Sequence, residues 1–177
     1  MLTENTMANR QYYSSQFSIP LQDQLVFEEG KVNHAYPDPK HPGILTIGIG
    51  HNLIARPKWA NGTPIAHTLT DMECFKLLAE DLTDTQIQLL DHWIGVKSMS
   101  SGARRNACIA MCFQLGIGAF MKFVNMRRAI EYCNWEEAYA SAIDSDWARD
   151  PLTHARAMRV AGQLRTGTYY DIPTQPT

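Results

Sequence analysis

The chain has no apolar run long enough to cross a bilayer, and its first residues show no charged-then-apolar stretch of the secretory kind. A protein without membrane insertion and without a signal peptide is the expectation. Cysteine is scarce: Cys74, Cys108, Cys112 and Cys133 are the four among 177 residues, which suits a reduced origin as well as a disulfide framework. Cys108 and Cys112 stand one helical turn apart, a spacing open to a metal pair or to two small buried hydrophobes. No zinc spacing, Walker loop, dinucleotide fingerprint, serine-nucleophile elbow or internal repeat is present, so no metal and no organic cofactor is expected. Basic residues do not alternate with aromatics as a nucleic-acid platform requires, and no nucleic-acid partner is expected.

What the chain does have is 45% hydrophobic residues, enough for one or two compact lobes with a real core. The net charge of -2 conceals an asymmetry. Residues 69–95 carry one Lys against six Asp/Glu, and residues 96–177 carry ten Lys/Arg against seven Asp/Glu. The modestly basic C-terminal half fits a surface facing an anionic polymer and equally an ordinary solvated one.

The stretch from Glu28-Glu29-Gly30 to His51-Asn52 concentrates the chemistry. A short helix, with Ser18 as cap and Pro20 in its first turn, ends in two carboxylates and a glycine. Glu29 at that end meets the negative pole of the helix, which disfavours an ionised carboxylate and suits a proton donor. Two strands follow, Val32 to Tyr36 and Ile44 to Ile49, joined by a turn at Asp38-Pro39 and Pro42-Gly43. Gly48 and Gly50 weaken a strand, so they signal a bend or a close backbone approach. Such a path gathers Glu29, Asp38 and Thr46: an acid to protonate a leaving oxygen, and a carboxylate with a hydroxyl to hold a water.

Glu29-Gly30, Tyr36, Asp38, Thr46 and Gly48-Ile49-Gly50-His51 resemble the active-site signature of phage muramidases of the T-even lysozyme type. The resemblance continues through Phe113-Gln114-Leu115-Gly116, Asn134-Trp135-Glu136-Glu137-Ala138 and Arg165-Thr166-Gly167-Thr168-Tyr169, covering roughly residues 20–171. It implies Glu29, Asp38 and Thr46 as catalytic residues. It implies a structural pair between His51 and Asp81, and it places Arg156 near the catalytic glutamate. Gln114 stands where the family has a substrate-contacting glutamine, although a satisfied buried amide explains it as well. Two departures stand out. Asp38 to Thr46 is two residues longer than the family pattern, the excess falling in Pro39–Gly43. Asp146 replaces a basic residue beside Trp147, so that substrate contact does not carry over.

Along the rest of the chain, residues 1–17 form an N-terminal extension, and residues 18–69 the first helix with a small β lobe. Thr70-Asp71-Met72-Glu73 is a capping box opening a long inter-lobe helix within residues 70–95. Residues 96–177 make a helical lobe: a central helix from Ser101 to Gly116, further helices from Phe123 and Asn134, a loop at Asp144–Pro151 carrying Trp147, and a helix from Thr153 to Leu164. The fold class is α+β, lysozyme-like, with the cleft expected between the lobes. The resemblance implies an inverting muramidase acting on peptidoglycan, a monomer and a phage endolysin. It would reside in the host cytoplasm before release to the wall, so that a holin, or an inhibitor protein, becomes a partner. A non-lytic wall-binding or structural module of an injection device, and a muramidase effector delivered by a secretion apparatus, are the alternatives.

Overall fold

The computed structural model describes residues 19–38 and 43–172. The expected N-terminal extension, the Ser18 cap and most of the two-residue lengthening before Thr46 lie outside them. The architecture is α+β, as expected. Its chain order is α1 (Ile19–Glu29), β1 (Val32–Pro37), β2 (Leu45–Gly48), β3 (His51–Asn52), α2 (Asp71–His92), a 3₁₀ turn (Ile94–Ser98), α3 (Gly102–Leu115), α4 (Ile117–Phe120), α5 (Val124–Glu131), α6 (Trp135–Ile143), α7 (Asp146–Arg149) and α8 (His154–Thr166). The chain divides into two compact units, residues 1–84 and 85–177, with the division inside α2.

In the first unit, a three-stranded antiparallel sheet runs β1-β2-β3. Its register pairs Tyr36 with Thr46 and Pro37 with Leu45, and the backbone N–H of Asp38 continues the ladder to the Ile44 carbonyl at 2.9 Å. A bulge lies between Val32 and Tyr36, where four residues of β1 span two of β2. Because side chains alternate across a sheet, Tyr36, Asp38 and Thr46 share one face. Leu45, Ile47 and His51 take the other. That second face builds the core, in which Ile47, Leu53, Ile65, Leu69, Cys74 and Leu77 are buried together against Ala35, Leu45 and Trp59. Fully burying a side chain such as Ile47 or Leu77 contributes about 1.5–3 kcal/mol, so this face fixes the register.

The outer edge of β1 is paired rather than open. Ala35 N–H bonds to the His67 carbonyl at 2.9 Å and Leu69 N–H to the Asn33 carbonyl at 2.7 Å. The Asn33 side-chain amide adds bonds to the Leu69 carbonyl at 3.0 Å and to Asp71 at 2.7 Å. At the start of α2, the capping box is formed. Glu73 reaches back to the Thr70 N–H at 2.8 Å, and the Thr70 hydroxyl accepts from the Glu73 N–H at 3.2 Å.

The second unit is helical. Eight residues of α3 are buried, including Cys108, Ile109, Met111 and Cys112. This makes α3 the central helix and its cysteines part of the apolar interior. Burial pushes the Cys112 thiol up to about 12 and raises Cys108 as well. Ser101 caps α3 by accepting from the Arg104 N–H at 3.3 Å, and Asn134 caps α6 by accepting from Glu137 N–H at 3.2 Å.

Three local expectations change. The second strand starts at Leu45 and ends at Gly48, because Gly48 (φ 67) and Gly50 (φ 72) turn the backbone and return it as β3, which periodicity did not reveal. Within the expected loop at Asp144–Pro151, residues 146–149 are a helical turn. It is capped by the Ser145 hydroxyl, which accepts from the Ala148 N–H at 3.3 Å. The short α4 and the 3₁₀ turn at Ile94–Ser98 are additional.

Candidate active site

The site begins with where α1 stops. Its last residue is Glu29, and Gly30 ends it with an N–H bond to the Val26 carbonyl at 3.0 Å. From there the Glu29 side chain lies against the β2–β3 turn. A Cβ placed on Gly50 would stand 3.2 Å from its Cγ, 3.3 Å from Cδ and 3.4 Å from Oε2. Gly50 therefore serves twice: its φ of 72 makes the turn, and its bare Cα leaves room for the carboxyl group.

Asp38 is half-buried at the end of β1, and Thr46 is buried at 6% exposure in the middle of β2. The register sets both on the face that also holds Tyr36. The Tyr36 phenol records the neighbourhood electrostatically. Burial first, then the charge of Asp38, then that of Glu29, push it above its ordinary value. Both carboxylates thus act on one hydroxyl. The three residues singled out in the sequence are thus grouped with Tyr36, which the resemblance quotes in the active-site signature without giving it a role. Its position two residues before Asp38, hence on the same strand face, was the available signal. On the far side of Thr46, its partner Asn52 spends its side-chain oxygen on the N–H groups of Ile54 (3.0 Å) and Ala55 (2.9 Å).

His51 lies on the opposite face and is 3% exposed. Its Nδ1 is 2.8 Å from one Asp81 carboxylate oxygen and 3.1 Å from the other, while Nε2 is 2.8 Å from the Arg56 carbonyl. Both ring nitrogens are engaged by acceptors, so the imidazole ties β3 to α2. Arg56 extends this tie, with its guanidinium 2.6 Å from both Asp81 and Asp84 and 3.7 Å from Glu80. Glu80 in turn accepts from the Ala60 N–H at 2.7 Å. Arg56, at the hub of this cluster, was not anticipated. Nothing in the pattern Ala55-Arg56-Pro57 distinguishes it from a solvated arginine.

Gln114 and Arg156 belong to the second unit. The Gln114 side-chain oxygen accepts from Trp147 Nε1 at 3.1 Å. Arg156 is buried at 7% exposure, with Nη2 3.5 Å from the Ala110 carbonyl. Trp147 also lines a groove of about 880 Å³ in this unit, floored by Leu115, Phe123 and Met126 and edged by Asp146 and Arg149. Among the described residues no group of three or more His, Cys, Asp or Glu is placed to hold a metal, and no helix is long and apolar enough to cross a membrane.

Comparison with known proteins bears on this arrangement. The family model described as phage lysozyme matches residues 27–163, which include all the sheet residues above. The pre-baseplate central spike protein of Enterobacteria phage T4 is 29% identical over 172 residues, an alignment covering 85% of this chain. This chain spans only 28% of that protein's length. A Dictyostelium discoideum protein named "Probable T4-type lysozyme 1" is 28% identical over 166 residues, covering 84% of this chain and 95% of that protein.

Proposed function

The chain belongs to the phage lysozyme family of glycoside hydrolases, and from that premise we propose that it is a muramidase. Its substrate is the β-1,4 bond between N-acetylmuramic acid and N-acetylglucosamine in bacterial peptidoglycan. The observation that carries this reading is the grouping of Glu29, seated on Gly50, with Asp38 and Thr46 on one sheet face, both carboxylates being felt by Tyr36.

Glu29 is the general acid and gives its proton to the glycosidic oxygen as that bond breaks. Asp38 is the general base and takes a proton from a water oriented by the Thr46 hydroxyl. The water oxygen attacks the anomeric carbon from the opposite face of the sugar, so the product forms with inversion. The two carboxylates supply the whole proton traffic, and the reaction needs no cofactor. Gln114, steadied by Trp147, is a substrate-binding residue in this reading. His51, Asp81 and Arg156 are structural.

The biological role that fits best is an endolysin. It is a monomer made in the host cytoplasm and released to the wall with the help of a holin. The likeness to a spike protein favours a second reading, in which the same chemistry serves an injection device. Digestion of purified sacculi by wild type and Glu29→Gln, with identification of the new reducing-end sugar, tests the activity. Muramic acid ends from wild type and a loss of about 100- to 10,000-fold in Glu29→Gln are expected. Glucosamine ends, or near-normal turnover by Glu29→Gln, would overturn the assignment.

A further inference from the structure

Tyr36 has no part in the proton transfers just described, yet it stands on the same sheet face as Thr46 and Asp38. It pairs across the sheet with Thr46 and stands two residues from Asp38 on the same face. It is half-buried there. Burial first, then the charges of Asp38 and Glu29, push its phenol above the ordinary tyrosine value. The hydroxyl is therefore an O–H donor at neutral pH and below.

A surface with two carboxylates offers many places for a ligand's hydroxyl groups to donate and few places for a ligand's acceptor. In the mechanism proposed above, the Thr46 hydroxyl orients the attacking water. The Tyr36 hydroxyl, a donor on this face, suits a strong neutral acceptor close to the cleaved bond. The acceptor of that kind which both amino sugars share is the carbonyl of the 2-acetamido group, whereas ring and bridging oxygens accept more weakly.

We propose that Tyr36 is a substrate-binding residue whose hydroxyl donates to the acetamido carbonyl of a sugar at the cleaved bond, selecting N-acetylated over de-N-acetylated glycan. The proposal rests on the muramidase reading and adds a specificity element to it. Tyr36→Phe keeps the ring and removes only the donor.

The test compares wild type and Tyr36→Phe on native sacculi and on sacculi whose glycan has been de-N-acetylated, with melting temperature as a check on folding. One lost hydrogen bond to substrate predicts a fall in kcat/KM of about 3- to 10-fold on native sacculi, expressed as a raised KM. On de-N-acetylated sacculi the two proteins should differ by less than about twofold. An unchanged KM on native sacculi overturns the proposal, and so does an equal loss on both substrates. The native-sacculi comparison decides alone if neither protein cuts the modified polymer. Wild type that fails to cut native sacculi would instead sink the muramidase reading, so the two failures are separate.

Discussion

Substituting alanine at Gly50 probes the junction of fold and chemistry. Two costs arise. An L-residue at φ 72 carries a left-handed strain of about 1–2 kcal/mol, partly offset by about 0.4–1 kcal/mol from a less flexible unfolded chain. The new methyl group would also stand 3.2 Å from Glu29 Cγ and 3.3 Å from Cδ, tighter than ordinary contact. The glutamate side chain has rotatable bonds and yields by a few tenths of an ångström, so the second cost falls on its placement rather than on stability. Gly62 is the control, since its φ of 88 imposes a similar strain with nothing within 4 Å of a Cβ. Urea unfolding should show both Gly50→Ala and Gly62→Ala destabilised by roughly 0.5–1.5 kcal/mol. Turnover of sacculi should separate them: a fall of about tenfold or more for Gly50→Ala, because a general acid displaced by a fraction of an ångström loses its alignment, and no change for Gly62→Ala. Full activity in Gly50→Ala would refute the idea that Gly50 seats the acid. Equal losses in both variants would mean that activity follows stability alone.

Three further outcomes are expected. Arg56→Met removes a cation from Asp81, Asp84 and Glu80 while keeping much of the side-chain volume, and should destabilise the protein by about 1–3 kcal/mol in urea unfolding; wild-type stability would show that the cluster holds nothing. Hydrogen bonds from Lys31 and then Asn33 hold the Asp71 carboxyl below its usual range. Its contribution is present above the unfolded value of about 3.9 and fades as pH falls through the folded value, so the gap in urea midpoint between wild type and Asp71→Asn should be full near neutrality and shrink in acid; an equal gap at both extremes counts against the clamp. Cys74, Cys108 and Cys112 are buried and Cys133 is exposed. Alkylation of the native protein near pH 8, read by mass spectrometry, should therefore modify Cys133 first and all four only in denaturant, whereas early labelling of Cys112 would contradict its burial.

How much of this was legible in the sequence depends on the range of the interactions. The caps at Thr70, Ser101 and Asn134 were readable because donor and acceptor stand three residues apart, and each forms the expected bond. The candidate site was readable for a similar reason: Glu29, Asp38 and Thr46 fall within one hairpin and the helix that feeds it. The glycines at 48 and 50 announced a bend, but not that the chain would return as a third strand only two residues long, since two residues have no period to detect. The turn carrying Trp147 read as a loop because four helical residues are too few to show periodicity against flanking Asp and Pro.

What the sequence concealed lies at long range, and there the site depends on groups that look ordinary one at a time. Glu80 and Asp84 pattern as the solvated side of an acidic helix, and Asp81 stands out from them only through the family resemblance, which pairs it with His51. In the fold, Asp81 grips His51, thirty positions away, while Arg56 and Ala60 bind to the same stretch of α2. His51 pairs with Ile47, one residue from Thr46, and is adjacent to the Gly50 that receives Glu29. These contacts make the core face of the sheet the anchor of its reactive face. Register cannot slip by one residue at Thr46 without pulling His51 from Asp81 and Ile47 from the core.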